Sequence, residues 1–174
     1  LTTRLIEQRA GRLAVGQADG IQARSVETFQ AFGFAERIRE EAYRITSTSF
    51  WGPRDDEPGL IHRTKRTDDD PNGISEFEHL IVNQARVIDY FAEYAQHSPA
   101  RGAVDYGYEF VGLVAEDSGD RPAVATLRRT SGPDAGSEVP VRAKYVVGAA
   151  RARSRVRPAL GGALPLHPPL HPPA

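Results

Sequence analysis

Gly16-Gln17-Ala18-Asp19-Gly20-Ile21, followed by Arg24 and Glu27, is the stretch on which the reading of this chain turns. Two glycines bracket a polar pair, and a helix-like pattern starts directly after. Glycine reaches backbone angles closed to other residues and lets a ligand approach the main chain. A helix start adds free N–H groups and a partial positive charge, so such a loop can hold an anionic or hydrogen-bonding ligand. Asp19 would sit on a tight turn and point into the ligand's space. On local chemistry alone a surface turn is the better reading, because Gly and Asp are common turn formers and Gly-rich loops are weak signals.

Composition sets the outer bounds. The chain has 174 residues, 40% of them hydrophobic, a net charge of −1 and no cysteine or methionine. That length fits one domain with a real core. The charge balance argues against a nucleic-acid partner. Without cysteine there are no disulfides and no thiol-ligated metals, which fits a cytoplasmic protein. No apolar run approaches membrane-spanning length, so no membrane partner is expected. Arg4, Glu7 and Arg9 interrupt the apolar residues at the N-terminus, so it carries no signal-peptide pattern.

Outward from the loop, several further motifs recur in order. Leu5-Ile6-Glu7-Gln8 and Gly11-Arg12-Leu13 precede it. Phe32-Gly33-Phe34-Ala35, Ile74-Ser75-Glu76-Phe77, Asn83-Gln84-Ala85-Arg86-Val87 and Tyr145-Val146-Val147-Gly148 follow it. Together they resemble the FAD-dependent aromatic hydroxylases of the phenol 2-monooxygenase type, over residues 1 to about 161. The resemblance implies an α/β fold: a partial FAD-binding, Rossmann-like domain with an inserted β-sheet region. It lacks its first strand and the GxGxxG turn. Residues 1–157 are read as this partial domain and residues 158–174 as a Pro-rich, disordered tail. The absent initiator Met and a start inside a strand-like run read as a chain truncated at both ends.

Residue by residue, the resemblance assigns Glu7 to a ribose hydroxyl at the end of a buried strand over residues 2–8, as in dinucleotide-binding folds. It sets Gln17, Arg24 and Gln84 along the FAD, and Asp19 near the phenol hydroxyl, where a carboxylate can accept a proton and make the ring more nucleophilic. Intact relatives take reducing equivalents from NAD(P)H, use oxygen, and hydroxylate a phenolic small molecule; homodimers are expected among them. The chemistry is the cofactor's, and the protein positions and polarises. Read without the resemblance, Glu7 is a strand-end carboxylate facing water, Arg24 a surface cation and Gln84 a solvent-facing helix residue.

The remaining pattern is ordinary. Ser25 can cap a helix running to about residue 32, with Val26, Phe29 and Phe32 on one face and Gly33 as its stop. A second helix spans 35–42. Residues 44–51 and 60–64 read as strands, joined by the turn Asp55-Asp56-Glu57-Pro58. Asp68-Asp69-Asp70-Pro71-Asn72-Gly73 lacks the order of a calcium loop and reads as solvated. Residues 79–82 read as a strand and Asn83 as the cap of the next helix. Strands follow at 108–114, 123–127 and 139–143, and Tyr145-Val146-Val147-Gly148 reads as a short buried strand.

Two features depart from the family pattern. After Gly148 the family has an Asp-Gly pair where this chain has Ala150-Arg151, so an acceptor is lost and bulk is added where the backbone passes closely. The end repeats Leu-His-Pro-Pro at 166–169 and 170–173, and six of the thirteen prolines lie between Pro158 and Pro173. On these grounds the isolated chain is not expected to be catalytically competent. The alternatives are a non-catalytic α/β module that binds a nucleotide or a partner, and a remnant without function.

Overall fold

The structure is a computed structural model that describes residues 2–57, 59–116, 119–150 and 154–162. The described residues form two compact units. One is built from residues 13–103, the other from 3–12 together with 104 onward.

In the first unit, β2 (Gly20–Ile21) leads into α1 (Ala23–Ala31) and α2 (Ala35–Glu41). Next come β3 (Tyr43–Ile45), the hairpin β4 (Ser47–Pro53) and β5 (Ile61–Asp68), β6 (His79–Ile81) and α3 (Gln84–His97). β6 is the centre of a three-stranded antiparallel sheet, flanked by β2 and β3. The core forms where α1, α2, β6 and α3 present their apolar residues: Val26, Ile38 and Leu80 are fully buried, with Phe29, Phe34 and Tyr90 nearly so. Phe34 stacks between Phe29, at 5.0 Å, and Tyr90, at 5.3 Å and almost parallel. Such aromatic pairs stabilise by roughly 0.5–1.5 kcal/mol each beyond the area they bury.

Gly33 separates the first two helices with φ +78°, a backbone state that costs glycine little. The cap of α1 is Gln22, not Ser25. Ser25 lies one turn inside and donates its own N–H to the Gln22 carbonyl at 2.8 Å. The helix starts earlier than the capping preference suggests because β2 ends at Ile21 and delivers the chain already turned. Asn83 does cap α3, its Oδ1 accepting the Ala85 N–H at 2.8 Å.

The run 44–51 is not one strand. It breaks at Thr46 into β3, which pairs with β6, and β4, which pairs with β5. β5 extends to Asp68, four residues beyond the expected Thr64. Backbone pairing with β4 sustains it although nearly all its side chains are exposed. Within the acidic run, the Asp70 carboxylate accepts the N–H groups of Ile74 and Ser75, at 3.2 and 3.3 Å. These bonds hold its carboxyl below the ordinary carboxylate range. Among the described residues no group of acidic or His side chains could hold a metal ion.

The second unit joins β1 (Leu5–Glu7) in parallel to β7 (Val104–Tyr106) and continues as the antiparallel meander β8 (Tyr108–Ala115), β9 (Ala123–Arg129) and β10 (Glu138–Ala143). Gly107 alone separates β7 from β8. Its φ is +77°, its N–H donates to the Arg9 carbonyl at 2.7 Å, and a Cβ there would lie 2.6 Å from Ser131 Oγ. β1 is shorter and less buried than the expected strand, since Leu5 and Ile6 are both exposed.

Tyr145-Val146-Val147-Gly148 is not a buried strand. It pairs with no other strand among the described residues, and Tyr145 and Val147 are 74% and 85% exposed. An apolar run becomes a strand only where a neighbour supplies the ladder. α4 (Val156–Ala159) contains Pro158, where the tail was expected to begin, and residues 163–174 lie outside the described residues. Among the described residues no helix is long and apolar enough to cross a membrane.

Candidate functional site

The Gly16–Ile21 loop and the start of α3 meet directly. The Gln17 N–H donates to Gln84 Oε1 at 3.0 Å. A Cβ on Gly16 would fall 2.3 Å from the Gln84 Cβ, closer than two carbons can come, so the contact requires glycine. Gln84 is the first residue of α3 after its Asn83 cap. Its amide oxygen is taken up by the loop, which turns its NH2 group away as a donor. The loop is held from the other side too: the Val82 N–H donates to the Asp19 carbonyl at 2.9 Å, and Gly20 and Ile21 pair with Ile81 and Leu80. The last two residues of this stretch therefore form a short strand ahead of α1, where the sequence suggested a direct entry into the helix.

Of the five residues singled out in the sequence, Gln17, Gln84 and Asp19 belong to this loop–helix junction. Asp19 is exposed, and its carboxylate has no partner among the described residues. Arg24 stands on the first turn of α1, 90% exposed, and pairs with Glu27 at 3.2 Å. Glu27 also accepts the Ser75 hydroxyl at 2.8 Å, so the Ile74–Phe77 motif ties down α1. Glu7 belongs to the other unit. It ends β1 opposite Tyr106, and its carboxylate accepts the Arg9 N–H at 2.9 Å and pairs with the Arg9 guanidinium at 3.3 Å. A surface hollow of about 490 Å³, lined by Pro122, Lys144 and Tyr145 among others, is lined by none of the five.

The second half of the Gly148–Arg157 motif is folded. Val156 packs against Gly148, where a Cβ would come within 2.8 Å, and the buried Ser154 hydroxyl accepts the Arg157 N–H at 3.4 Å. Ala150 is exposed and brings no acceptor; Arg151 lies outside the described residues.

Sequence reasoning missed one polar pair beside the loop. His79 Nδ1 lies 2.8 Å from Asp69 Oδ1, with both side chains largely buried. Asp69 reads in the sequence as part of a solvated acidic turn and His79 as a strand residue, and the nine intervening residues carry no spacing signal to join them.

The family model described as an FAD binding domain matches residues 1–170. The chain belongs to the FAD binding domain family. It is 41% identical over 162 residues to a 3-hydroxybenzoate 4-monooxygenase of Comamonas testosteroni, an alignment covering 92% of this chain and 25% of that protein. It is 36% identical over 160 residues to an FAD-dependent monooxygenase of Aspergillus terreus, covering 91% and 26%. The chain thus spans about a quarter of these relatives' length. In three dimensions it resembles the flavin-dependent monooxygenase PieE, solved with FAD and substrate, at TM-score 0.69 and 23% identity over 91% of this chain and 27% of that one. It equally resembles p-nitrophenol 4-monooxygenase from Pseudomonas putida, at TM-score 0.69 and 19% identity over 91% and 37%. These likenesses establish the α/β fold of FAD-binding aromatic hydroxylases. The family is one of oxidoreductases.

Proposed function

We propose that this chain supplies part of the FAD site and the phenol-facing carboxylate of an aromatic monooxygenase. The observation that carries the reading is the Gly16–Gln17 loop seated on Gln84, with the Gln84 NH2 and the Asp19 carboxylate left for other partners. The donor set fits a flavin. An amide NH2 at a helix start suits a ribityl or ring oxygen, and Glu7 at a strand end suits a ribose hydroxyl. When bound, FAD supplies the redox chemistry, with NAD(P)H as reductant and oxygen as co-substrate.

The chain's own residues bind and orient. Gln17 fixes the Gln84 amide, Gln84 donates to the cofactor, and Arg24 offers a cation beside it. Asp19 accepts a hydrogen bond from the substrate's phenolic hydroxyl and turns its oxygen toward the reacting ring. A cytoplasmic setting and a homodimeric intact protein complete the proposal.

Flavin fluorescence on titration of the chain with FAD tests it. Quenching is expected for the native sequence. Gln84→Ala should weaken binding about tenfold, the effect of losing one well-placed hydrogen bond. Asp19→Asn should leave FAD affinity unchanged. Equal affinity in the native chain and Gln84→Ala would remove the basis of the assignment.

A further inference from the structure

Asn83 stands at the corner between β6 and α3, and both of its neighbours are bonded to the Gly16–Ile21 loop. On one side the Val82 N–H donates to the Asp19 carbonyl at 2.9 Å. On the other, Gln84 Oε1 accepts the Gln17 N–H at 3.0 Å. The loop is thus held at two points, Gln17 and Asp19, by the residues either side of Asn83. The spacing of those two anchors is set by the backbone of Asn83, which has φ −56° and ψ 127° and is not yet helical.

The Asn83 side chain fixes this corner. Its Oδ1 accepts the Ala85 N–H at 2.8 Å, while its carbonyl accepts the Arg86 N–H at 2.9 Å. A helix start leaves its first N–H groups without carbonyl partners, and a side-chain oxygen at the cap satisfies one of them. Ala85 is only 4% exposed, so water is a poor substitute for that oxygen. Gln84 lies inside the bridge that Asn83 makes to Ala85. A Cβ on Gly16 would lie 3.0 Å from Gln84 Oε1 and 3.1 Å from the Gln84 backbone nitrogen, so the loop covers the amide and the main chain together. Where the first turn begins therefore decides where the Gln84 amide sits. Among the described residues, α1, α2 and α4 start without a side-chain cap bond, and α3 has one.

We infer that Asn83 is a positioning residue: by capping Ala85 it keeps the Gln84 amide and the Asp19 turn in register, so that the Gln84 NH2 holds one direction. Without the cap the first turn frays, and the two anchors no longer meet the loop at once. The effect of Asn83 on FAD rests on the reading of Gln84 given above. Its hold on the Gln17–Gln84 bond does not.

Two measurements test this on the whole chain. Asn83 is exposed, so its substitution leaves the core intact. Hydrogen exchange of the Gln17 N–H, followed by NMR without ligand, reads the Gln17–Gln84 bond directly. It should quicken about fivefold in Asn83→Ala, the usual effect of a lost cap, and return to the native rate in Asn83→Ser, whose hydroxyl caps equally well. Flavin fluorescence should show FAD binding weakened about fivefold by Asn83→Ala, restored by Asn83→Ser, and unaffected by Asn83→Ala once Gln84 is already Ala. A general loss of stability would act alike in both backgrounds. If Asn83→Ala does not fold, Asn83→Gly decides, because glycine costs a helix start little yet brings no side-chain bond. Native Gln17 exchange in the folded variant overturns the role of Asn83. So does an effect on FAD that persists undiminished after Gln84→Ala. Equal FAD affinity in the native chain and Gln84→Ala overturns the reading of Gln84 instead, and the Gln17 exchange rate still decides whether Asn83 holds the amide.

Discussion

Gly16 is the residue on which the junction depends most directly. Its missing side chain lets the loop lie on the first residue of α3, and a methyl group there would meet Gln84 Cβ at 2.3 Å. Gly16→Ala should therefore push loop and helix apart. A loss of about 1–3 kcal/mol in denaturant unfolding is expected, the usual cost of forced overpacking, together with a loss of FAD binding at least as large as that of Gln84→Ala. Gln17, Gln84 and Asp19 could be picked out beforehand because each sits in a short motif. Arg24 was picked out on the same basis, and its guanidinium pairs with Glu27 on its own helix. His79 and Asp69 carry no local mark, since their partnership depends on β6 lying between β2 and β3.

Helices and strands followed local pattern where a buried face was strong and failed where a partner decided the outcome. α2 and α3 appear where apolar spacing and the Asn83 cap put them. Residues 44–51 alternate like one strand, but two different neighbours claim them. Tyr145-Val146-Val147-Gly148 is apolar enough for a strand and finds no ladder among the described residues. The tie between α2 and α3 makes a pH prediction. Arg86 bonds both Glu41 oxygens, at 2.8 and 2.7 Å, and the Tyr90 hydroxyl donates to Glu41 at 2.5 Å. The Arg86 guanidinium, then the Tyr90 hydroxyl, lower the Glu41 pKa from 4.5 to about 2. A depressed acid stabilises the fold above its unfolded pKa, and that contribution fades as pH falls from about 4.5 toward 2. The Glu41 side chain is 37% exposed, so solvent screening holds the effect to about 1 kcal/mol. Chemical denaturation at pH 6 and pH 3 should show this loss in the native chain and a flatter dependence in Glu41→Gln.

At the scale of the molecule, the chain is woven. Residues 3–12 leave the stretch that follows them and join the strands from 104 onward. The aromatic core and the β2–β6–β3 sheet draw on residues between 13 and 103. A polypeptide of residues 13–103 should accordingly keep a near-UV circular dichroism signal from the Phe34–Tyr90 stack and melt cooperatively. A featureless near-UV spectrum would show that this unit needs the rest of the chain. The family extends over residues 1–170 and the curated relatives run to about four times this length, which is why the full reaction is a proposal for the intact protein.

Sequence by itself determined the α/β class, the family, the apolar faces of the helices and the motif positions of Gln17, Asp19 and Gln84. These are properties of residue order, set by side-chain periodicity and by glycine's freedom at a few positions. Tertiary structure alone decided that the Gln17 amide fixes Gln84, that Tyr145–Gly148 stays unpaired among the described residues, and that Asp69 stands behind His79. Each of these is a contact between segments distant in the chain or a choice among competing strand partners. The free energy that settles such a contact comes from packing and hydrogen bonding across space, on which a linear pattern carries no information.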